Sequence, residues 1–318
     1  MKSKHLLLFL LLTSIPGFAQ KIDNVVSYRN MNSDRYFRIH YDNDYFSASD
    51  ENYTQGYNLE LVTPGLAKNP LNFLLIKPKT HQLQYGIAIE HIGYTPANIK
   101  SPQIQFGDRP FAAAIMLKSF LVATDTLKKS RVSTSLSAGL IGQGAFGKEM
   151  QVGIHKLTGN VIPQGWQNQI RNDMVINYEV TYEKQLLRYN DLFSLQGSSS
   201  LLAGTLFTGA SVSLNTTVGL INSPFNPLGN RKFQLFLYTQ PVVNVVGYDA
   251  TLQGGLLNRT SSYTLASGEI ERITAQFNYG IILKTWTLYF EYTRSSITRE
   301  FESGSSAKWG GIRIGFTF

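Results

Sequence analysis

Lys308-Trp309-Gly310-Gly311-Ile312-Arg313-Ile314-Gly315-Phe316-Thr317-Phe318 sorts its side chains into two rows. Lys308, Gly310, Ile312, Ile314, Phe316 and Phe318 share one row; Trp309, Gly311, Arg313, Gly315 and Thr317 share the other. Successive side chains of a strand point to opposite faces, so this stretch reads as a strand with a greasy outer row. The period recurs upstream. Val132, Thr134, Leu136, Ala138 and Leu140 oppose Ser133, Ser135, Ser137 and Gly139, and Ile273, Ala275, Phe277, Tyr279 and Ile281 oppose Thr274, Gln276, Asn278 and Gly280. The polar members are mostly small or amide, which suits a wet or hydrogen-bonded lumen. Twelve strands are predicted, over 36–46, 55–64, 82–92, 111–123, 131–142, 173–187, 191–204, 209–221, 231–246, 269–283, 285–296 and 306–318, with ten or fourteen as alternatives. The expected fold is therefore all-β, a transmembrane antiparallel β-barrel. A soluble sandwich or lipocalin-like barrel would turn its apolar row inward, and the alternation spans too many segments for so small an interior.

Composition agrees. Asp, Glu, Lys and Arg make up 16% of the chain, while Gly (27), Tyr (17) and Phe (19) are plentiful. Charge on a lipid-facing wall costs roughly 2–4 kcal/mol per midplane Lys or Arg. Residues 1–20 read as a signal peptide: Lys2 and Lys4, the apolar run Leu6 to Leu12, then Gly17-Phe18-Ala19. The run is too short for a membrane-spanning helix, and 21–318 forms the expected barrel domain. With Lys2 and Lys4 removed, 27 of the 29 basic residues face 21 acidic ones, a net +6. A basic exported chain suits anionic lipid head groups or phosphorylated glycolipid; no nucleic-acid-binding motif is present. There is no cysteine, which excludes disulfides and thiolate chemistry.

Connections are expected to alternate between short periplasmic turns and long outer loops, the long ones being 93–110, 143–172, 222–230 and 247–268. Within 143–172, Phe146, Met150, Ile154 and Leu157 recur at helical spacing. A short helix over the barrel mouth is predicted, with Gly159 as its C-cap.

Candidates for chemistry are few. His81 reads as solvated, and His91 as part of an interfacial belt. His40 shares a strand face with Asp42 and Asp44, and His155 lies four residues after Gln151, so their side chains are helix neighbours. The run Tyr41-Asp42-Asn43-Asp44-Tyr45-Phe46 is unusually acidic for a barrel strand. It reads either as an oxygen-rich site for a hard cation or as a solvated rim paired with basic residues. Gly107-Asp108-Arg109-Pro110 is a turn whose Arg–Asp pair suits a loop brace. No Gly-x-Ser-x-Gly elbow, His-Glu-x-x-His helix or glycine-rich phosphate loop occurs.

In order, Asp42-Asn43-Asp44-Tyr45-Phe46, Tyr53-Thr54-Gln55-Gly56, Tyr94-Thr95-Pro96, Gly107-Asp108-Arg109-Pro110-Phe111-Ala112, Gly139-Leu140-Ile141-Gly142, Gln151 with His155, and Pro163 with Trp166 and Gln169-Ile170 resemble the outer-membrane lipid A deacylase family of LpxR type. The likeness covers residues 36–180; the second half matches only as generic barrel. It implies a twelve-stranded barrel with its active site beside a helix from an outer loop. The reaction implied is ester hydrolysis removing the 3′ acyloxyacyl group of lipid A. His155 aligns with the family's catalytic base, Asn43 and Asp44 with its Asn-Asp pair, and Thr54 with a hydroxyl near the site. The Asn-Asp pair would orient the histidine or hold a divalent cation, expected to be calcium. Lys100, Arg109, Asp108 and Gln151 are the implied substrate or oxyanion contacts, with a structural role open for the Asp-Arg turn. The implied partners are lipopolysaccharide and other outer-membrane lipids. One departure stands out: Ala97-Asn98-Ile99-Lys100-Ser101 carries a single lysine where family members carry a basic pair, in a loop about two residues shorter. The alternatives are a phospholipase-like barrel, whose His-x-Ser-Asn-Gly arrangement is not found, a porin, and an inactive lipopolysaccharide-binding relative.

Overall fold

A computed structural model describes residues 23–44, 52–79, 82–226 and 231–318. The expected signal peptide, Tyr45, Phe46 and His81 lie outside the described residues. Twelve antiparallel strands close into a barrel: β1 (Tyr36–Asn43), β2 (Asn52–Val62), β3 (Gln82–Thr95), β4 (Ala112–Asp125), β5 (Ser130–Ile141), β6 (Asp173–Tyr189), β7 (Phe193–Gly204), β8 (Phe207–Leu220), β9 (Gln234–Asp249), β10 (Ile273–Lys284), β11 (Leu288–Ile297) and β12 (Ala307–Thr317). Each strand pairs with its sequence neighbour, and β1 pairs with β12, with Ile39 opposite Ile314, to close the seam. All twelve expected strands are present. The end where β1 enters and β12 leaves is the periplasmic end.

The two rows of each strand sort as expected. Ile39, Leu59, Ile89, Leu117, Ile314 and Phe316 are exposed on the outside, where lipid takes the place of water. The inward row meets in the lumen. At its periplasmic end, Val26, Tyr28 and Met31 from the segment before β1 pack with Phe120, Phe236, Tyr238 and Tyr289. Gly86 is required there, because a Cβ would lie 2.1 Å from the Phe120 ring. Above that layer sits a lattice of buried charge. Glu291 accepts hydrogen bonds from Arg29, Arg313, Tyr238 and Tyr289, while Arg38 bonds Glu60 and Lys118 bonds Glu90. At the outer end Tyr53, Tyr94, Met116, Ile141 and Trp309 form a second apolar layer. The lumen is thus packed at both ends rather than open as a pore.

Connection lengths do not alternate as expected. The outer connection between β7 and β8 is only residues 205–206, whereas the periplasmic connections 63–81 and 221–233 are long. The first of these carries two 3-10 helices, Pro64–Lys68 and Pro70–Leu74, and folds back along the outside of the wall. Asn69 donates to Ser119 at 3.1 Å, and Tyr178 donates to the Leu74 carbonyl at 2.8 Å. Ser119 and Tyr178 occupy outward positions of β4 and β6, so this strap covers lipid-side wall and leaves Phe73 78% exposed beside it.

The expected outer-loop helix is α1 (Gly147–Thr158), ended by Gly159 at φ 70° as anticipated. Its orientation is not the one its apolar stripe suggests. Gly147, Gln151 and His155 are its buried residues, while Phe146 is 57% and Leu157 89% exposed. The helix lies against the outside of the wall rather than over the barrel mouth as expected, because its close contact is with the outward Ala113 of β4. A Cβ on Gly147 would stand 2.4 Å from Ala113 and 2.7 Å from Trp166, so glycine permits this close approach. Ala113 is an outward residue of β4, in register with the lipid-facing Leu117, and it joins Ile99, Phe111, Ala145 and Trp166 in one cluster.

Candidate active site

Strand alternation makes outward positions apolar along most of the wall. Near the outer rim of β1 to β3 they turn polar. Asn43 continues the outward row of Ile39 and Tyr41, and its amide donates to the Thr54 carbonyl of β2. The β2–β3 register slips between Tyr53 and Gln55. This bulge inserts one residue, so Tyr53 points inward while Thr54 and Gln55 both stand on the outer side. Thr54 Oγ1 lies 2.7 Å from Thr95 Oγ1 of β3. Gln55 packs beside Gly93, where any side chain would meet its Cγ at 3.3 Å. His91, two residues further along the same outward row, donates through Nε2 to the Ala145 carbonyl at 2.9 Å and so ties the wall to the start of α1.

The helix contributes the other half. Gln151 Oε1 accepts the indole N–H of Trp166 at 2.7 Å, which fixes the amide with its nitrogen facing elsewhere. One turn on, His155 Nδ1 is hydrogen-bonded to the Val161 carbonyl. A carbonyl oxygen only accepts, so Nδ1 carries the proton. With Nδ1–H directed at the carbonyl, the neutral form of the ring has its lone pair on Nε2, the tautomer a general base needs. The Gln151 Nε2 and both side-chain polar atoms of Gln55 are buried without a hydrogen-bond partner among the described residues. Buried amides are normally satisfied, so Gln55 on the wall and Gln151 on the helix each keep hydrogen-bonding capacity for an incoming polar group.

The other sequence candidates separate into braces and rim. Asp108 accepts the backbone N–H of Ala97 and of Arg109. Arg109 is fully buried, stacks over the Tyr94 ring at 4.1 Å and bonds Glu300 at 2.8 Å and Thr251 at 3.2 Å. These are the contacts of a brace joining three outer loops, the structural alternative of the sequence reading, and they leave the guanidinium committed away from Gln151 and His155. Lys100 is exposed, and its neighbour Ile99 is anchored beneath Phe111 and Trp166. Asp44 is buried just past β1, beyond Asp42, which stands inside the lumen 3.1 Å from His40. Asn43 and Asp44 offer the hard oxygen donors that calcium takes. Among the described residues no group of three His, Cys, Asp or Glu side chains gathers to hold a metal, so backbone oxygens, water or substrate would have to complete a shell.

Gln55 and Thr95 belong to the sequence motifs but not to the expected site residues. The available signal was position: amide and hydroxyl side chains standing in a row that is otherwise lipid-facing.

The brace is pH-sensitive. Burial pushes the Glu300 carboxyl from its ordinary 4.5 up to about 7, against the pull of Arg109 and with help from Asp249. The folded protein then binds this proton more tightly than the unfolded chain, so stability is present below about 4.5 and falls as pH rises to about 7. Glu300→Gln, which mimics the protonated acid, is expected to match the wild type in thermal unfolding near pH 5 and to melt higher than it at pH 8. Parallel melting curves for the two proteins across this range would contradict the assignment.

Comparisons with known proteins agree with the architecture. Residues 6–318 match the family described as outer membrane protein LpxR. The structure is similar to LpxR from Salmonella typhimurium, with a TM-score of 0.73, 19% sequence identity, and coverage of 89% of this chain and 100% of that one. The β domain of the Bordetella autotransporter BrkA gives a TM-score of 0.47 at 6% identity, covering 89% of this chain and 99% of that one. No curated protein sequence matches the chain. With the family match running over nearly the whole length of a closed twelve-stranded outer-membrane barrel, this chain belongs to the LpxR family of outer membrane proteins.

Proposed function

We propose that the protein is an outer-membrane esterase that removes the 3′-linked acyloxyacyl group of lipid A, with His155 as general base. The observation that carries this reading is the His155 ring itself: Nδ1 is committed to the Val161 carbonyl, leaving Nε2 as the acceptor, on a helix pressed against the outside of a membrane barrel. A lipid in the outer leaflet reaches that place sideways, without passing through the lumen.

In the proposed reaction Nε2 takes a proton from water as the water oxygen attacks the ester carbonyl. The carbonyl oxygen becomes an oxyanion, to which the Gln151 amide N–H can donate. Collapse breaks the bond to the sugar oxygen, which receives the proton from the imidazolium. The products are a free acyloxyacyl acid and a sugar hydroxyl. In this reading Thr54, Asn43 and Thr95 would supply the wall that faces the ester, and Lys100 would meet a phosphate at the rim. Calcium held by Asp44 and Asn43 would add Lewis-acid stabilisation of the oxyanion. The porin alternative is disfavoured by the packed lumen.

Expression in a host with fully acylated lipid A, followed by mass spectrometry of the extracted lipid, is the test. The expected product lacks one acyloxyacyl unit; unchanged lipid A from cells with folded barrel in the outer membrane overturns the reading. For the cation, activity in detergent should fall on treatment with a calcium chelator and return with added calcium. Full activity under chelation removes the metal from the proposal.

A further inference from the structure

Trp166, whose indole N–H is spent on Gln151, also lines a pocket of about 390 Å³ that the proposed hydrolysis does not use. It is bounded by the start of α1, the segment 166–172 and Asn258 from the connection between β9 and β10. Its volume lies within the range of small-molecule sites, and its floor is Trp166 and Ile170. Two cations stand on its walls, Lys148 and Arg171, and neither forms an ion pair with a described residue. Among the described residues no carboxylate lines it. The remaining lining is amide: Gln143, Gln167, Gln169, Asn172 and Asn258. Gln169 is 8% exposed, and its Oε1 is buried without a partner among the described residues.

The pocket is held in shape by backbone and asparagine hydrogen bonds rather than by its own cations. Ile170 N–H donates to the Phe111 carbonyl at 2.9 Å, Asn172 accepts from Gly144 N–H at 2.8 Å, and Asn258 donates to the Asn172 carbonyl at 2.9 Å. Three outer loops therefore converge on it, and among the described residues neither charged head has an ion-pair partner. Two positive charges call for an anion. The buried Gln169 oxygen beside them, an acceptor without a partner among the described residues, calls for a hydroxyl group on that anion. An anionic lipid head without hydroxyls would leave the Gln169 oxygen unmatched.

We infer that this pocket binds an anionic sugar, a phosphorylated or carboxylated monosaccharide unit, with Lys148 and Arg171 on the acid group and Gln169 accepting from a hydroxyl. The inference rests on the lipid A reading only in taking that sugar to belong to lipopolysaccharide; the pocket then grips the head while α1 and the wall hold the acyl ester.

The test is a binding titration of the detergent-solubilised full chain with glucosamine 6-phosphate, glucuronic acid, inorganic phosphate and glucose, followed by activity on lipopolysaccharide. The two sugar acids distinguish a phosphate source from a carboxylate source. At least one is expected to bind more tightly than inorganic phosphate, with glucose not binding. Lys148→Ala/Arg171→Ala should weaken that binding about tenfold or more, and Gln169→Leu should weaken the sugar acid while leaving inorganic phosphate unchanged. In the activity assay the double variant should raise KM and spare kcat. Wild-type protein that binds neither sugar acid, binding that survives the double variant, or phosphate bound as tightly as either sugar acid would each overturn the pocket assignment. Binding as expected by a chain that cleaves no lipid A would instead overturn the proposed function and leave the pocket standing.

Discussion

His155→Ala is expected to lower lipid A deacylation by about 10²–10⁴-fold, the usual worth of a positioned general base, with the barrel intact. The reason is positional. The ring is held by one hydrogen bond to a backbone carbonyl, and α1 is anchored independently by Gly147 against Ala113 and by Gln151 against Trp166. Removing the imidazole therefore takes away the base and not the helix. His155→Gln should be similarly inactive, since an amide cannot accept a proton at neutral pH. Rates on extracted lipid A, with heat-modifiable gel mobility as the check on folding, would decide the matter. A folded His155→Ala protein within a few-fold of wild-type activity would remove the base from the mechanism.

The second large effect lies in the lumen and concerns stability. Glu291 is fully buried and receives Arg29 at 2.8 Å, Arg313 at 3.0 Å, and the hydroxyls of Tyr238 and Tyr289 at 2.6 Å each. Its loss leaves two guanidinium groups buried without their counter-charge. Breaking a buried pair from one side costs about 3–5 kcal/mol, more than the pair itself contributes against an apolar replacement. Glu291→Ala should therefore unfold at markedly lower denaturant than wild type, and Glu291→Gln, which keeps hydrogen-bonding oxygen but not charge, should fall between. Equal unfolding midpoints for Glu291→Ala and the wild type would show that the lattice adds no stability.

Much of the barrel was legible because one rule covers it: a strand between lipid and lumen must alternate, and most of the twelve segments do, with 191–204 and 231–246 the imperfect ones. The same rule explains what was harder to read. Asn43 was placed on the face opposite Asp42 and Asp44, yet its meaning, a polar residue on the lipid side, emerges only when Thr54, Gln55 and Thr95 from two other strands are seen beside it. The helix was visible from Phe146, Met150, Ile154 and Leu157, but its orientation was not. In water an apolar stripe turns inward; against a wall bathed in lipid it has no reason to, and Gly147, Gln151 and His155 face the protein instead. Connection lengths misled because a linear pattern does not show that 63–79 docks on the wall's outside. Arg109 shows the same limit: a turn motif names the residue, while only its partners Glu300 and Thr251 show where the charge is spent.

Arg29 and Glu291 are 262 positions apart, and β1 finds its closing partner in β12. What makes the cylinder watertight thus comes from the two extremes of the chain. A polypeptide lacking its last two strands would lose together the seam partner of β1 and the Glu291 carboxylate that holds Arg29. Truncation at the carboxyl end would be felt at the amino end first, as exposure of Arg29 to protease.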